Sequence, residues 1–253
     1  MLTMTKSECL PAFKEALSLQ HKLMDSMKFT FYGHACFMVE LKGKKILFDP
    51  FIRYNELAKE VDFDSILVDY IFLSHGHEDH VADAFDIAMK NDATIVSNYE
   101  IVTWFQKKGV KNTHPMNHGG AWNFDFGTVK YVHAVHSSAL PDGTYGGNPG
   151  GFVVGSDTKT FYYSGDTALT MDMKLIPLTS KKLDFAVLPI GNNFTMGAQD
   201  AVLAAEFVDV SKVIGVHFDT FGYIKINHAI AKEVFASKGK ELILLNIGEC
   251  IEL

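Results

Sequence analysis

The sequence predicts an α/β fold, a four-layer α/β/β/α sandwich in which two mixed β-sheets are flanked by helices. Three observations carry that expectation. Apolar strand-like runs alternate with helical stretches along most of the chain. A group of three strands arrives early, around a hairpin. Several later apolar runs end directly in His or Asp, as strands do when they feed one rim of a layered sheet.

The elements follow in order. Residues 1–26 carry Leu10, Phe13, Leu17 and Met24 at roughly helical spacing, with Pro11 near a helix start, and read as a helical extension. Residues 27–253 then form one domain, since no repeat or long Pro/Ser linker divides them. Strands are expected over 29–32, 37–41 and 45–48, with Lys42-Gly43-Lys44 as the turn. Tyr70-Ile71-Phe72-Leu73 is a buried strand, followed by a helix over 81–90 whose Val81, Phe85 and Met89 share a face. A helix over 100–108, strands over 128–135, 160–163 and 185–190, and a helix over 199–208 come next. A strand over 213–216 and a helix over 229–237 complete the pattern.

Composition narrows the classes. The chain has 253 residues, 47% hydrophobic, enough for a sizeable core. A net charge of −7 disfavours nucleic acid as a partner. No stretch approaches the ~18–20 apolar residues of a membrane span, and residues 1–26 lack the apolar core of a secretory signal. Cys9, Cys36 and Cys250 are widely spaced and form no framework, which suits a reducing cytoplasm. A small-molecule substrate is expected, and a homo-oligomer is compatible with all of this.

The chemistry is concentrated in Ser74-His75-Gly76-His77-Glu78-Asp79-His80. His75 and His77, two apart on an extended segment, point to one side and can grip one ion. Asp79 and His80 begin the next turn and can reach a second. Further donors follow strand ends: His136 after the 128–135 run, Asp166 after 160–163 and His217 after 213–216. A mixed imidazole and carboxylate set suits zinc, with manganese, iron or nickel allowed by the same ligand chemistry. No Gly-x-Ser-x-Gly elbow is present, so covalent nucleophilic catalysis lacks support.

The order His75-x-His77-x-Asp79-His80, then His136, Asp166 and His217, resembles the metallo-β-lactamase-fold hydrolase superfamily. Tyr32-Gly33-His34-Ala35-Cys36-Phe37, Leu47-Phe48-Asp49-Pro50-Phe51, His136-Ser137-Ser138 and the segment from Pro189 to Met196 look closest to its small bacterial and archaeal metal-dependent hydrolases, relatives of sugar-phosphate lactonases. The resemblance implies one divalent ion on His75, His77 and His136, another on Asp79, His80 and His217, and Asp166 bridging them. It makes Asp79 and Asp166 the catalytic carboxylates. His133 competes with His136, but the two fall on opposite faces, and Ser137-Ser138 after His136 matches the family. His133 is then a packed or supporting residue. An aspartate at 166, where antibiotic-destroying members commonly have cysteine, argues against a β-lactamase; His77 argues against the diiron oxidoreductases, which usually have glutamate there.

A hydroxide bridging two ions then attacks a small, anionic ester or lactone metabolite. Two other readings are a phosphodiesterase acting on a cyclic nucleotide, phospholipid headgroup or short oligonucleotide, and a metal-loaded binding or sensor protein. Asp49 and His34 are candidates to orient the ligands. Asn192 and Asn193, and the glycine-rich stretch 145–151, are candidates to touch substrate. His228 reads as a helix start. Nothing identifies a general acid.

Overall fold

The computed structural model describes residues 27–253, and the extension expected over 1–26 lies outside the described residues. The first sheet holds β1 (Lys28–Gly33), β2 (Cys36–Leu41), β3 (Lys44–Phe48), β4 (Tyr70–Phe72), β5 (Thr94–Asn98) and β6 (Thr113–Met116). The second holds β7 (Ala121–Phe124), β8 (Gly127–His133), β9 (Gly150–Gly155), β10 (Thr160–Tyr163), β11 (Phe185–Pro189), β12 (Lys212–Val216) and β13 (Glu241–Ile243). β14 (Cys250–Glu252) returns to the first sheet, giving orders β14-β1-β2-β3-β4-β5-β6 and β13-β12-β11-β10-β9-β8-β7. Each sheet is mixed: β1 to β3 and β7 to β10 pair antiparallel, whereas β3 to β6 and β10 to β13 pair parallel.

The β2–β3 hairpin turns on Lys42 and Gly43, both with positive φ (50° and 75°). That pairing matches the twist of the flanking strands. Lys44, expected in the turn, is the first residue of β3.

Three apolar layers hold the sandwich together. Between the sheets the packing is aromatic: Phe29 stacks on Phe37 at 4.7 Å, and Phe37 on Phe48 at 4.6 Å. Phe72, Phe152, Phe161 and Tyr163 belong to the same layer, all fully buried. Each such ring contributes roughly 2–3 kcal/mol by leaving water. Helices Ala84–Asn91 and Tyr99–Lys107 cover the first sheet, and helices Ala198–Phe207 and His228–Ala236 cover the second. Asn98 and Asn227 cap two of these helices by accepting from the N–H of Ile101 and Ile230.

The helix expected over 81–90 is broken. Helix Glu78–Val81 stops, and Ala84–Asn91 begins after Asp83. The buried Asp83 carboxylate accepts from Ile52 N (2.6 Å), Arg53 N (3.0 Å) and Arg53 Nε (2.8 Å), so this position anchors the loop after β3. The expected stripe shifts with the break. Met89 is exposed, and Ala84, Ile87 and Ala88 face the core.

Among the described residues no helix is long and apolar enough to cross a membrane. The loops after β1, β3, β4, β8, β10, β11 and β12 gather at one edge of the sandwich. His217 N donates to His34 O (2.7 Å) and Gly150 N to Ser74 O (3.0 Å), which locks the two sheets together at that edge.

Candidate metal centre

Two groups of donors meet where these loops converge. His75, His77 and His136 offer ring nitrogens within 4.8 Å of one another, and so do the donor atoms of His34, Asp79, His80 and His217. The Asp166 carboxylate lies between the groups: Oδ2 is 2.9 Å from His217 Nε2, 3.3 Å from His80 Nε2 and 3.7 Å from His136 Nε2. Asp79 Oδ2 stands 3.9 Å from His80 Nε2 and 4.0 Å from His217 Nε2. Gly165 (φ 60°) turns the chain so that Asp166 points inward, and a Cβ there would sit 2.6 Å from Ser74 Cβ. His217 has φ 56°, a left-handed backbone that aims its ring back over the sheet edge.

The rings are oriented from behind by one buried carboxylate. Asp49 accepts from Ser74 N (2.7 Å), Ser74 Oγ (2.5 Å), Tyr163 Oη (2.5 Å) and His80 Nδ1 (2.9 Å). The single hydroxyl hydrogen of Ser74 is thereby committed, so its oxygen accepts from His75 Nδ1 (2.9 Å). His75 Nε2 is left as a lone pair, 2.9 Å from His77 Nδ1. On the other side, His34 Nε2 donates to Asp79 Oδ2 (3.1 Å), and its Nδ1 accepts from Thr220 Oγ1 (3.0 Å).

Charge differs sharply between neighbouring imidazoles. Burial, followed by the proximity of His80, pushes His75 well below the ordinary histidine range, and burial likewise lowers His77 and His136. Burial would lower His80 too, but the carboxylates of Asp166, Asp79 and Asp49 outweigh it and raise that ring well above the usual value. Burial would raise Asp79 and Asp166. Instead His80, with the bond from His34, draws Asp79 below the usual carboxylate range, and His217 and His80 do the same to Asp166. His34 is lowered to about 4, mainly by burial.

Divalent cations fit this donor set. Two nitrogens bound to one zinc stand about 3.4 Å apart, close to the His75–His77 separation. Among the described residues His80 Nε2 is fully buried yet has no directed hydrogen-bond partner, and a cation could take the place of a proton there. Among the described residues His217 Nδ1 is another buried atom without a partner.

Of the residues singled out in the sequence, His75, His77, Asp79, His80, His136, Asp166 and His217 all come to this edge. Asp49 and His34 stand directly behind them. Asn192 and Asn193 are exposed on the loop after β11, both with left-handed backbone (φ 63° and 58°). His133 does not pack or support a ligand. It ends β8 with a 44% exposed side chain, 3.9 Å from Asp172, because the chain must leave the sheet before His136 can turn in. His228 starts its helix and bonds Asp219 Oδ2 (2.6 Å). In the 145–151 stretch glycine serves packing: a Cβ on Gly150 would meet the Tyr131 ring at 2.3 Å. Sequence reasoning passed over Ser74, Tyr163, Thr220 and Ser138. Ser138 Oγ accepts from Gly76 N (3.0 Å) and donates to Gly146 O (2.9 Å), pinning the histidine loop. Ser74 and Ser138 carried a signal, by their places inside quoted motifs; Tyr163 and Thr220 carried none.

Known proteins share this arrangement of the chain. The model of the beta-lactamase superfamily domain matches residues 44–218. A UPF0173 metal-dependent hydrolase of Flavobacterium johnsoniae is 59% identical over 227 residues, which covers 90% of this chain and 100% of the relative. The structure of Igni18, a metallo hydrolase from the archaeon Ignicoccus hospitalis, superposes with a TM-score of 0.81 at 29% identity, covering 90% of this chain and 98% of that one. The metallo-beta-lactamase fold protein YhfI of Bacillus subtilis, at 16% identity, 90% and 100% coverage and a TM-score of 0.71, is similar in fold alone. This chain belongs to the UPF0173 metal-dependent hydrolases, within the beta-lactamase superfamily and on the metallo-β-lactamase fold.

Proposed function

We propose that the protein is a dinuclear metal-dependent hydrolase that cleaves a small ester or lactone. His75, His77 and His136 would hold one divalent ion, Asp79, His80 and His217 the second, and Asp166 would join them. Zinc is the first choice for this donor set. The observation that carries the reading is the position of Asp166 Oδ2, within 3.7 Å of a ring nitrogen from each group. When bound, two such ions lower the pKa of water toward ~7 and stabilise the oxyanion that forms at an attacked carbonyl.

The protein's own residues supply order. Asp49 fixes the His80 ring and, through Ser74, the His75 tautomer, so both aim Nε2 at the same space. His34 holds Asp79 by one carboxylate oxygen. Titration of metal-free protein with zinc is expected to saturate at two equivalents, with ester turnover appearing only then. His75→Ala and Asp166→Ala are each expected to lower the stoichiometry and abolish turnover. Saturation of the unaltered protein below one equivalent of any transition metal, or no turnover on any ester or lactone, would overturn the reading.

A further inference from the structure

We propose that the non-reacting part of the substrate is uncharged and aromatic or otherwise flat and apolar, and that Phe221, with Phe194 and Tyr223, is the surface that binds it. This substrate class presupposes the hydrolase reading above and replaces the anionic substituent expected from the sequence.

The three rings stand on two braced loops at the rim of the donor cluster. Phe194, Phe221 and Tyr223 are 51%, 37% and 79% exposed. The loop after β11 is closed by the Gly191–Gly197 bridge and by Asn192 N donating to Met196 O (3.0 Å). It is tied to the Asp166 segment by Met196 N donating to Thr167 O (3.1 Å). The loop after β12 is cinched by Asp219, whose N–H donates to Ile224 O (2.8 Å) and whose carboxylate accepts from Ile226 N (3.0 Å) and His228 Nε2 (2.6 Å). A Cβ on Gly191 would lie 2.1 Å from His217 O, so the two loops are pressed together. Phe194 and Tyr223 meet across them at 6.2 Å.

Phe221 connects this surface to the cluster. Its ring is 5.3 Å from His34, edge to face, and 6.3 Å from Phe51. His34 is the ring that bonds Asp79. Large rings left in water on braced loops beside a reactive centre are what an apolar ligand needs.

The cations tell the same story. Arg53 is the only arginine in the sequence and lies on the loop after β3, at this same edge. Its guanidinium is taken by Asp83 (Nε to Oδ1, 2.8 Å) and by Asp86. The bidentate fork that recognises phosphate or carboxylate is therefore already engaged. Lys225, which lines a cavity of about 210 Å3 with Asn192 and Tyr223, is a cation at this edge that an anionic substrate could use.

Zinc-loaded protein assayed with benzyl acetate, ethyl acetate and the acetate ester of glycolate separates the cases, since the bond cleaved is the same in each. Benzyl acetate is expected to exceed ethyl acetate in kcat/KM by about tenfold or more, with the glycolate ester no better than the ethyl. Phe221→Ala and Phe194→Ala are expected to bring the benzyl-to-ethyl ratio toward one. Calorimetric binding of N-benzylacetamide to metal-free protein gives a readout without turnover, and Phe221→Ala is expected to weaken it about tenfold. A glycolate ester that is preferred and depends on Lys225, or a ratio unmoved by either phenylalanine variant, overturns the proposal and leaves the hydrolase standing. Binding of N-benzylacetamide that Phe221→Ala weakens, with no ester cleaved, retains the surface and removes the hydrolase.

Discussion

Behind His75 and His77 stand hydroxyls, Ser74 Oγ at 2.9 Å and Ser137 Oγ at 3.3 Å. Behind His80 stands a carboxylate, Asp49 at 2.9 Å, and behind Asp79 a second imidazole, His34. The same side chain is consequently set in opposite ways within six residues of sequence. Burial, with His80 beside it, pushes His75 well below the ordinary histidine range, whereas the carboxylates of Asp166, Asp79 and Asp49 raise His80 well above it. The hydroxyl-backed group is governed by desolvation and the carboxylate-backed group by charge. The Asp49 carboxylate reaches both, directly at His80 and through Ser74 at His75.

The most disruptive way to break this contrast is to remove the shared carboxylate. Asp49→Ala strands four buried donors and should cost about 3–5 kcal/mol in urea unfolding of the metal-free protein. A loss below ~1 kcal/mol would mean that the two groups do not share this support.

Acid should expose the next largest difference. His34 titrates near 4 when folded against an ordinary 6.5, so the unfolded chain binds the proton first. The stability contributed by its neutral form is fully present above 6.5 and is lost as pH falls toward 4, by up to about 3 kcal/mol. Unfolding free energies at pH 7 and pH 4 should therefore fall further in the unaltered metal-free protein than in His34→Gln, and parallel falls would rule the histidine out.

Charge sharpens the contrast for bound metal. On the proposed two-ion assignment Asp79 stands in one group and His75, His77 and His136 bring no charge, so graded chelation should strip the ion on those three histidines first, at about tenfold lower chelator. Release of both ions together would contradict that order. The smallest effect belongs to the hydroxyl side: Ser138→Ala, which frees Gly76 N and Gly146 O, should lower stability by about 1 kcal/mol in thermal unfolding.

The fold and the gathering of donors were legible because both follow from local pattern. Strand runs such as 160–163 show their period directly, and the residue just past a strand end has few places to go. The helix break at Asp83 was not legible, since its cause is three donors from residues 52 and 53. Tyr163 and Thr220 were invisible for the same reason: their partners, Asp49 and His34, lie 114 and 186 residues away. The exposed end of His133 followed from where β8 stops, a boundary that alternation alone does not mark.

By itself the sequence determined the layered α/β class, the family and the set of donors that reach one edge, because periodicity and motif order are properties of the chain. Tertiary structure alone decided which donors face each other, which imidazole is pushed below the ordinary histidine range and which above it, and which rings are left exposed. Those outcomes depend on burial and on distances between residues far apart in sequence, and neither quantity exists until the sheets have packed.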